Sequence, residues 1–327
     1  MTDLITTRVQ YAVVIGISII MLWKLLKKRP TKNIPKKWKK VGELSDLMCF
    51  PIKSGGVVRS DEFDCINIGL QKNYIRDRTF MVVNSSGEFI TARAHPKLVQ
   101  VAPYVDNDYS VMILSAPDMS NINIDVAQLS TLKPKKAVVW GEAVDAIDAG
   151  DDAARWFSQF ILGKESGLRL VFYPASYPTR DVREKNKVFK SAVPADTGAL
   201  HDATSFMLIN ESSIEELNSR VEKYVTPLQF RPNFVVKEVK PYEEDSWKWI
   251  KIGEEAVFEN VKPCTRCIFT NIDPITAERN SNEEPLKTLK TYRKFENCGD
   301  SPVMGIHLGL RRKGVIRLND PIYIEEN

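Results

Sequence analysis

The 327-residue chain is 43% hydrophobic and 27% charged, so most of it is expected to fold around an ample core, as one large domain or two modest ones. Five cysteines, an odd and low number without framework spacing, exclude a disulfide scaffold and point to a reducing compartment. The formal net charge of +4 belongs to the N-terminus: residues 1–40 hold ten Lys/Arg and one acid, leaving 36 basic and 41 acidic residues, a net −5, in the remainder, which excludes a nucleic-acid-binding body.

The first element is apolar. Residues Val9 to Trp23, VQYAVVIGISIIMLW, carry no charge, and extension to Leu26 admits only Lys24. About 20 apolar residues span a bilayer, and a terminal lysine snorkels to its surface, so the stretch predicts a short transmembrane helix. Nine Lys/Arg lie between Lys24 and Lys40 and only Arg8 precedes the run, the reverse of a cleaved signal peptide. By the positive-inside rule the folded body faces the cytosol. Pro30 and Pro35 mark a linker, so residues 1–40 read as an uncleaved single-pass anchor. Such an anchor suits the mitochondrial outer membrane, with the endoplasmic reticulum or peroxisome membrane left open.

From Val41 the pattern is β-rich. GELSDLMCFPIKS, FDCINIGL, RTFMVVN, GEFITAR, PKLVQVAPYV, YSVMILSAP and NINIDV read as short strands, with a hairpin turn at Ser85–Ser86–Gly87. Residues 151–162, DDAARWFSQFIL, predict an amphipathic helix opened by acids. Three basic positions stand out: Lys53–Ser54 after a strand, Arg76–Asp77–Arg78 opening one, and Arg93. Each alone is a solvated edge; together they suit a phosphate.

Residues 173–203 are polar and proline-punctuated, the mark of a functional or disordered connection, and a domain boundary falls near 165–180. A helix is expected over 213–224, with Ser212 as N-cap and Glu215 completing a capping box. Arg231 and Asn233 of FRPN occupy a turn into a strand, WKWIKIGEEAVFENV reads as a strand pair, and GIHLGLRRKGVIRLNDPIYI as strand, turn and strand. Several short strands with few helices suggest a closed or nearly closed barrel. The fold class is α+β, mostly β, divided as 1–40, 41–170 and 171–327.

The chemistry concentrates in VKPCTRCIFTNIDP. Cys264 and Cys267 bracket Thr265 and Arg266, ahead of a β-prone Ile268–Phe269–Thr270, and a helix opens at Glu284–Pro285. A guanidinium beside a thiol favours the thiolate, a soft metal ligand. Zinc needs a second ligand pair, whereas Cys49, Cys65 and Cys298 are isolated and the histidines are only His95, His201 and His307. A thioredoxin-like pair opens a helix, whereas this one leads toward a strand-like run. Two buried, inert thiols remain the plain alternative.

FPIKS, RDR–F–VVN, ITAR–PKLV, FRPN, PCTRCIFTNIDP with EPLKTLKTYR, and NDPIY fall in the succession seen in MOSC-domain proteins. The chain most closely resembles the mitochondrial amidoxime reducing component (mARC) family, over about residues 42–325 with the anchor ahead of them. The resemblance implies a β-rich MOSC N-terminal subdomain and a MOSC β-barrel holding a molybdenum–molybdopterin cofactor. It implies Cys267 as catalytic thiolate ligand to molybdenum. The cofactor-binding residues it implies are Lys53, Ser54, Arg78, Ala203, Thr204, Arg231, Asn233, Thr265, Arg266 and His307, with Cys264 non-ligating. The chain departs from the family at Ala203–Thr204, where relatives carry a Thr–Ser-like pair, and at His307, where they carry tyrosine. The implied activity is reduction of N-hydroxylated compounds such as amidoximes, with electrons from cytochrome b5 and its NADH-dependent reductase. The absence of a GxGxxG motif agrees with an external electron source. A cofactor carrier of the sulfurase type and a membrane-tethered scaffold are the alternatives.

Overall fold

The computed structural model describes residues 34–326. The expected transmembrane segment lies outside them, and among the described residues no helix is long and apolar enough to cross a membrane.

The first part of the chain forms β1 (Trp38–Cys49), β2 (Val58–Arg59), β3 (Glu62–Ile66), β4 (Gly69–Lys72), β5 (Ile75–Arg76), β6 (Phe80–Asn84), β7 (Ala102–Val105), β8 (Val111–Ser115), β9 (Ile122–Asp125), α1 (Val126–Leu129), β10 (Lys135–Val139), β11 (Glu142–Asp148), α2 (Asp151–Leu162) and β12 (Leu168–Phe172). The second forms β13 (Phe206–Asn210), α3 (Glu211–Asn218), α4 (Pro227–Phe230), β14 (Phe234–Lys237), β15 (Trp249–Ile252), β16 (Ala256–Thr265), α5 (Leu286–Tyr292), β17 (Val303–Arg312), β18 (Gly314–Arg317) and β19 (Pro321–Glu325).

Seven strands close into a barrel in the order β14–β13–β17–β16–β15–β19–β1, with β1 returning to β14. β1 closes it because it is long enough to serve two partners. Trp38 to Glu43 pair with β19, and Glu43 to Leu47 pair with β14. Gly42 sits at the changeover, where a Cβ would lie 2.4 Å from the Lys237 carbonyl oxygen. Inward residues fill the barrel: Phe206, Phe234 and Phe258 pack mutually with ring centroids 5.1–5.7 Å apart. Each such buried ring contributes roughly 1.5–3 kcal/mol by leaving water. β13 and β14 run parallel, so the chain needs the α3–α4 crossover between them.

Smaller sheets flank the barrel: β18–β3–β4–β5, β10–β11–β12–β6 and β7–β8–β9. They share one apolar core with it, in which Phe63, Leu70, Phe80 and Leu114 join Phe206, Phe234 and Phe258, and backbone bonds add to that link. As the chain leaves β1, Lys53 N–H donates to Phe80 O at 2.7 Å, and Arg78 N–H donates to Phe50 O at 2.8 Å. These bonds bring the 50–55 loop and the turn before β6 to the same place.

The structure revises several expectations. GEFITAR forms isolated bridges, Val83 with Phe89 and Glu88 with Val138, and PKLVQ is a 3-10 turn rather than the start of a strand. The helix expected over 213–224 is α3, capped at Asn210, whose side chain accepts from Ser212 N–H at 3.0 Å; Ser212 lies inside it. Ile268–Asn271 is a 3-10 turn because the Cys267 carbonyl accepts from both Thr270 N–H and Thr270 Oγ1. The β10–β11 hairpin had no counterpart in the sequence reading. The 173–203 connection carries only short 3-10 turns between β12 and β13.

Candidate active site

β16 delivers the cysteine pair. It ends at Thr265, and past it the chain is pinned by Arg266 N–H donating to Pro302 O at 2.8 Å. Side chains alternate across a strand, so thiols three residues apart at its end leave on different sides. Cys264, 5% exposed, packs in a core cluster with Met207, Phe230, Leu289 and Met304. Cys267 is exposed and faces a cavity of about 170 Å³. Cys264 also borders that cavity but only Cys267 is exposed, and among the described residues no group of three His, Cys, Asp or Glu has metal-binding geometry.

Lys53, Ser54, Arg78, Ala203, Thr204, Arg231, Asn233, Thr265, Arg266, Cys267 and His307, the residues singled out from the sequence, all line this one cavity. They come from the exit of β1, the turn before β6, the lead into β13, the α4–β14 turn, the end of β16 and the middle of β17. Ser54, Arg78 and Arg231 hold left-handed backbone, with φ of +68°, +50° and +54°. Such positions are rare for residues with a Cβ and concentrate at functional sites.

The cavity wall is strongly cationic. Arg266 is 7% exposed, yet its fork is met only by neutral acceptors: Nη1 donates to Phe230 O at 2.8 Å and Nε to Met304 O at 2.9 Å. Arg231 donates to Gly55 O and to Ile52 O, and its guanidinium lies 4.2 Å from the Phe50 ring centroid. Burial, and then the neighbouring Arg78, disfavour its charge. Neither Arg231 nor Arg266 has a carboxylate ion-pair partner among the described residues. Arg93 adds a further cation, its Nη1–H donating to Cys267 Sγ at 3.6 Å. Against these five cations (Lys53, Arg78, Arg93, Arg231 and Arg266) the lining supplies one carboxylate, Asp202. It pairs with Lys53 and with Arg93 at 3.6 Å. Lys53 is depressed to about 8 because burial outweighs the attraction of Asp202.

Behind the wall, Asp77 is fully buried. It accepts from Phe50 N–H at 2.6 Å and from His201 Nε2–H at 2.9 Å, and pairs with Arg78. Burial lowers His201 to about 4, so the imidazole is neutral, and its buried Nδ1 has no hydrogen-bond partner. His307 is also held neutral, by burial first and then by Lys262 and Arg266. Thr204 Oγ1 donates its single proton to Phe206 O at 2.9 Å, so at 2.8 Å it accepts from His307 Nδ1–H. That fixes the tautomer and leaves His307 Nε2 as an acceptor. Asn233 is committed to structure: its amide bridges Met48 O at 3.1 Å and Met207 N at 3.2 Å, tying β1 to β13.

Residues 41–164 match the MOSC N-terminal beta barrel domain and residues 196–323 the MOSC domain. Mitochondrial amidoxime-reducing component 1 of Mus musculus is 32% identical over 315 residues, covering 95% of this chain and 90% of that protein. The chain belongs to the mitochondrial amidoxime-reducing component family. Component 2 of Bos taurus is 33% identical over 288 residues, covering 86% of this chain and 83% of that protein. Component 1 of Homo sapiens is 32% identical over 289 residues, covering 87% and 83%.

The sequence reading missed Trp140, Asp202, His201 and Arg183 as parts of the family site's surroundings. Only one carried a signal: in VVWGEA a tryptophan stands where a two-residue hairpin turn ordinarily takes Asn or Gly.

Proposed function

We propose that this chain is a molybdenum-cofactor-dependent reductase of N-hydroxylated compounds, amidoximes among them. The observation that carries it is the exposed Cys267 thiol at a cavity walled by five cations and one carboxylate. A pterin dithiolene with its phosphate is anionic and brings soft sulfur ligands of its own, so a metal there needs one protein thiolate rather than a ligand cluster. The residues present fit that group. When bound, it supplies the two-electron chemistry that reduces an N–O bond to N–H and water with two protons.

The chain's own residues have distinct tasks. Cys267 would hold the metal, and Arg93 donates a hydrogen bond to its sulfur. Lys53, Ser54, Arg78 and Arg231 would hold the phosphate and pterin. Arg266 would add a positive charge that has no carboxylate partner among the described residues, with Thr265, Ala203 and Thr204 completing the wall. His307 offers Nε2 as an acceptor, oriented by Thr204. Asn233 positions the FRPN turn through its backbone contacts. Residues 41–170 and 171–327 form two subdomains of one compact unit around this site, with β1 of the first completing the barrel of the second.

Electrons come from cytochrome b5 and its NADH-dependent reductase. The apolar, base-flanked residues 1–40 anchor the chain in the mitochondrial outer membrane with the body in the cytosol, where co-anchored partners meet at high effective concentration. The test is metal and pterin content of the full chain, made in a host that synthesises the cofactor, followed by a benzamidoxime assay with a cytochrome b5 donor. About one molybdenum per chain and donor-dependent reduction are expected. A chain without molybdenum, or one loaded but inert toward N-hydroxylated compounds, overturns the assignment.

A further inference from the structure

The cationic lining of the cavity continues past Arg93 to a cluster about the Trp140 ring. Trp140 occupies the first central position of the turn joining β10 to β11, with φ +55°, and Gly141 follows at φ +81°. Both central residues of such a turn need positive φ, and a bulky aromatic residue there is an outlier. The backbone accepts strain to hold an indole in that place. Phe89 supports the ring, with centroids 4.8 Å apart.

Three cations converge on the indole: Arg183 at 4.1 Å from the ring centroid, Arg93 at 4.9 Å and Lys53 at 5.5 Å. Asp202 serves all three, and Glu142 also attracts Arg183. Asp202 accepts from Trp140 Nε1–H at 3.2 Å and pairs with Lys53 and Arg93, and Arg183 donates to its main-chain carbonyl at 3.2 Å. An aromatic face eases the mutual repulsion of cations but does not cancel it. Arg93 links this cluster to the thiol, since it touches both the Trp140 ring and Cys267 Sγ.

We propose that Arg93 and Arg183, arrayed about Trp140, recognise a carboxylate carried by the substrate, so that the preferred substrates are N-hydroxylated compounds with an anionic end. The proposal rests on the reductase reading for the reacting group, while the anion site itself is independent of turnover. Two guanidinium forks present parallel N–H donors that match a carboxylate, and charge-assisted bonds of this kind contribute about 1.5–3 kcal/mol. The cofactor's own phosphate shares this chemistry, and the experiment separates the two.

The test uses the full-length holoprotein, titrated at low salt with 4-carboxybenzamidoxime and with benzamidoxime, and reads affinity by calorimetry and tryptophan fluorescence. The carboxylate ligand is expected to bind roughly 10–100-fold tighter. Arg183→Gln is expected to bring that ratio close to one while molybdenum and pterin content stay as in the wild type. Arg183→Lys, which keeps the charge but not the planar fork, lowers the ratio by a smaller factor and serves if Arg183→Gln folds poorly. Equal affinities in the wild type overturn the proposal. So does Arg183→Gln protein that loses cofactor and keeps the ratio, since the cluster then holds the phosphate. An intact ratio in protein that fails to reduce benzamidoxime supports the anion site and sinks the reductase reading alone.

Discussion

The Arg78 side chain donates through Nη2 to the main-chain carbonyl of Arg231 at 2.8 Å. Both residues have left-handed backbone, and both guanidiniums face the Phe50 ring, at 4.9 and 4.2 Å. Two like charges from distant parts of the sequence thus share one aromatic platform, and only Arg78 has a carboxylate beside it, Asp77. Such an arrangement favours an anion between them.

Arg231→Lys is therefore not a conservative change. Lysine keeps the charge but cannot reproduce the fork that meets Gly55 O and Ile52 O while covering Phe50. Loss of a charge-assisted contact weakens anion binding by about 1.5–3 kcal/mol, roughly 10–100-fold. Purified Arg231→Lys is expected to carry much less pterin than the wild type at the same expression level. Wild-type pterin content in that variant would remove Arg231 from the binding set.

The two thiols separate cleanly under substitution to serine. Cys267→Ser is expected to abolish molybdenum loading and reduction while leaving the melting temperature almost unchanged, because the side chain is exposed. Cys264→Ser places a hydroxyl in the cluster with Met207, Phe230 and Met304, at a cost of about 1–3 kcal/mol, and retains molybdenum. Metal analysis together with thermal denaturation of both variants checks the pair. Molybdenum lost on Cys264→Ser and kept on Cys267→Ser reverses the assignment.

What the sequence showed and concealed follows from the range of the interactions. Lys53, Arg78, Arg231 and Cys267 were legible as charged or nucleophilic residues at strand ends, and the structure brings them to one cavity. Trp140 and Arg183 were not, because their partners lie on separate loops and the indole's position depends on an unusual turn. Closure of the barrel by β1 escaped notice for a related reason: alternation marks a strand but not a partner almost 200 residues away, as Glu43 with Lys237. At residues 268–271 β-propensity lost to a local bond, the Thr270 hydroxyl on the Cys267 carbonyl. The α3 cap was misplaced because Asn210 and Ser212 both suit the role, and the side chain that reaches the free N–H is that of Asn210.

Gly42→Ala tests the closure directly. Its Cβ would fall 2.4 Å from Lys237 O and 2.7 Å from Val239 Cγ2, at the point where β1 passes from β19 to β14. Backbone on one side and a buried valine on the other leave little room to yield, so a loss of roughly 1–3 kcal/mol is expected, as for overpacked cores. Urea denaturation of residues 36–327, one compact unit, reads it as a lower midpoint. An unchanged midpoint would mean that the two strand edges separate freely.

Acid sensitivity should trace to His201. Its folded value is about 4 against 6.5 in the unfolded chain, with burial the main cause and Asp77 only partly offsetting it. A depressed histidine is neutral when folded and takes up a proton more readily when unfolded. Its contribution is therefore intact above about pH 6.5 and is lost progressively as pH falls toward 4, amounting to about 2 kcal/mol at pH 5. Asp77, held at about 2 because Arg78, His201 and the Phe50 N–H outweigh its burial, adds a loss only below about pH 3.8. Between pH 7 and 5 the wild type should lose several degrees of melting temperature that His201→Gln does not lose. His201 is 2% exposed, so the glutamine variant starts from a lower melting temperature, and the decisive quantity is the slope with pH. Equal slopes in the two proteins would assign the acid loss to other groups.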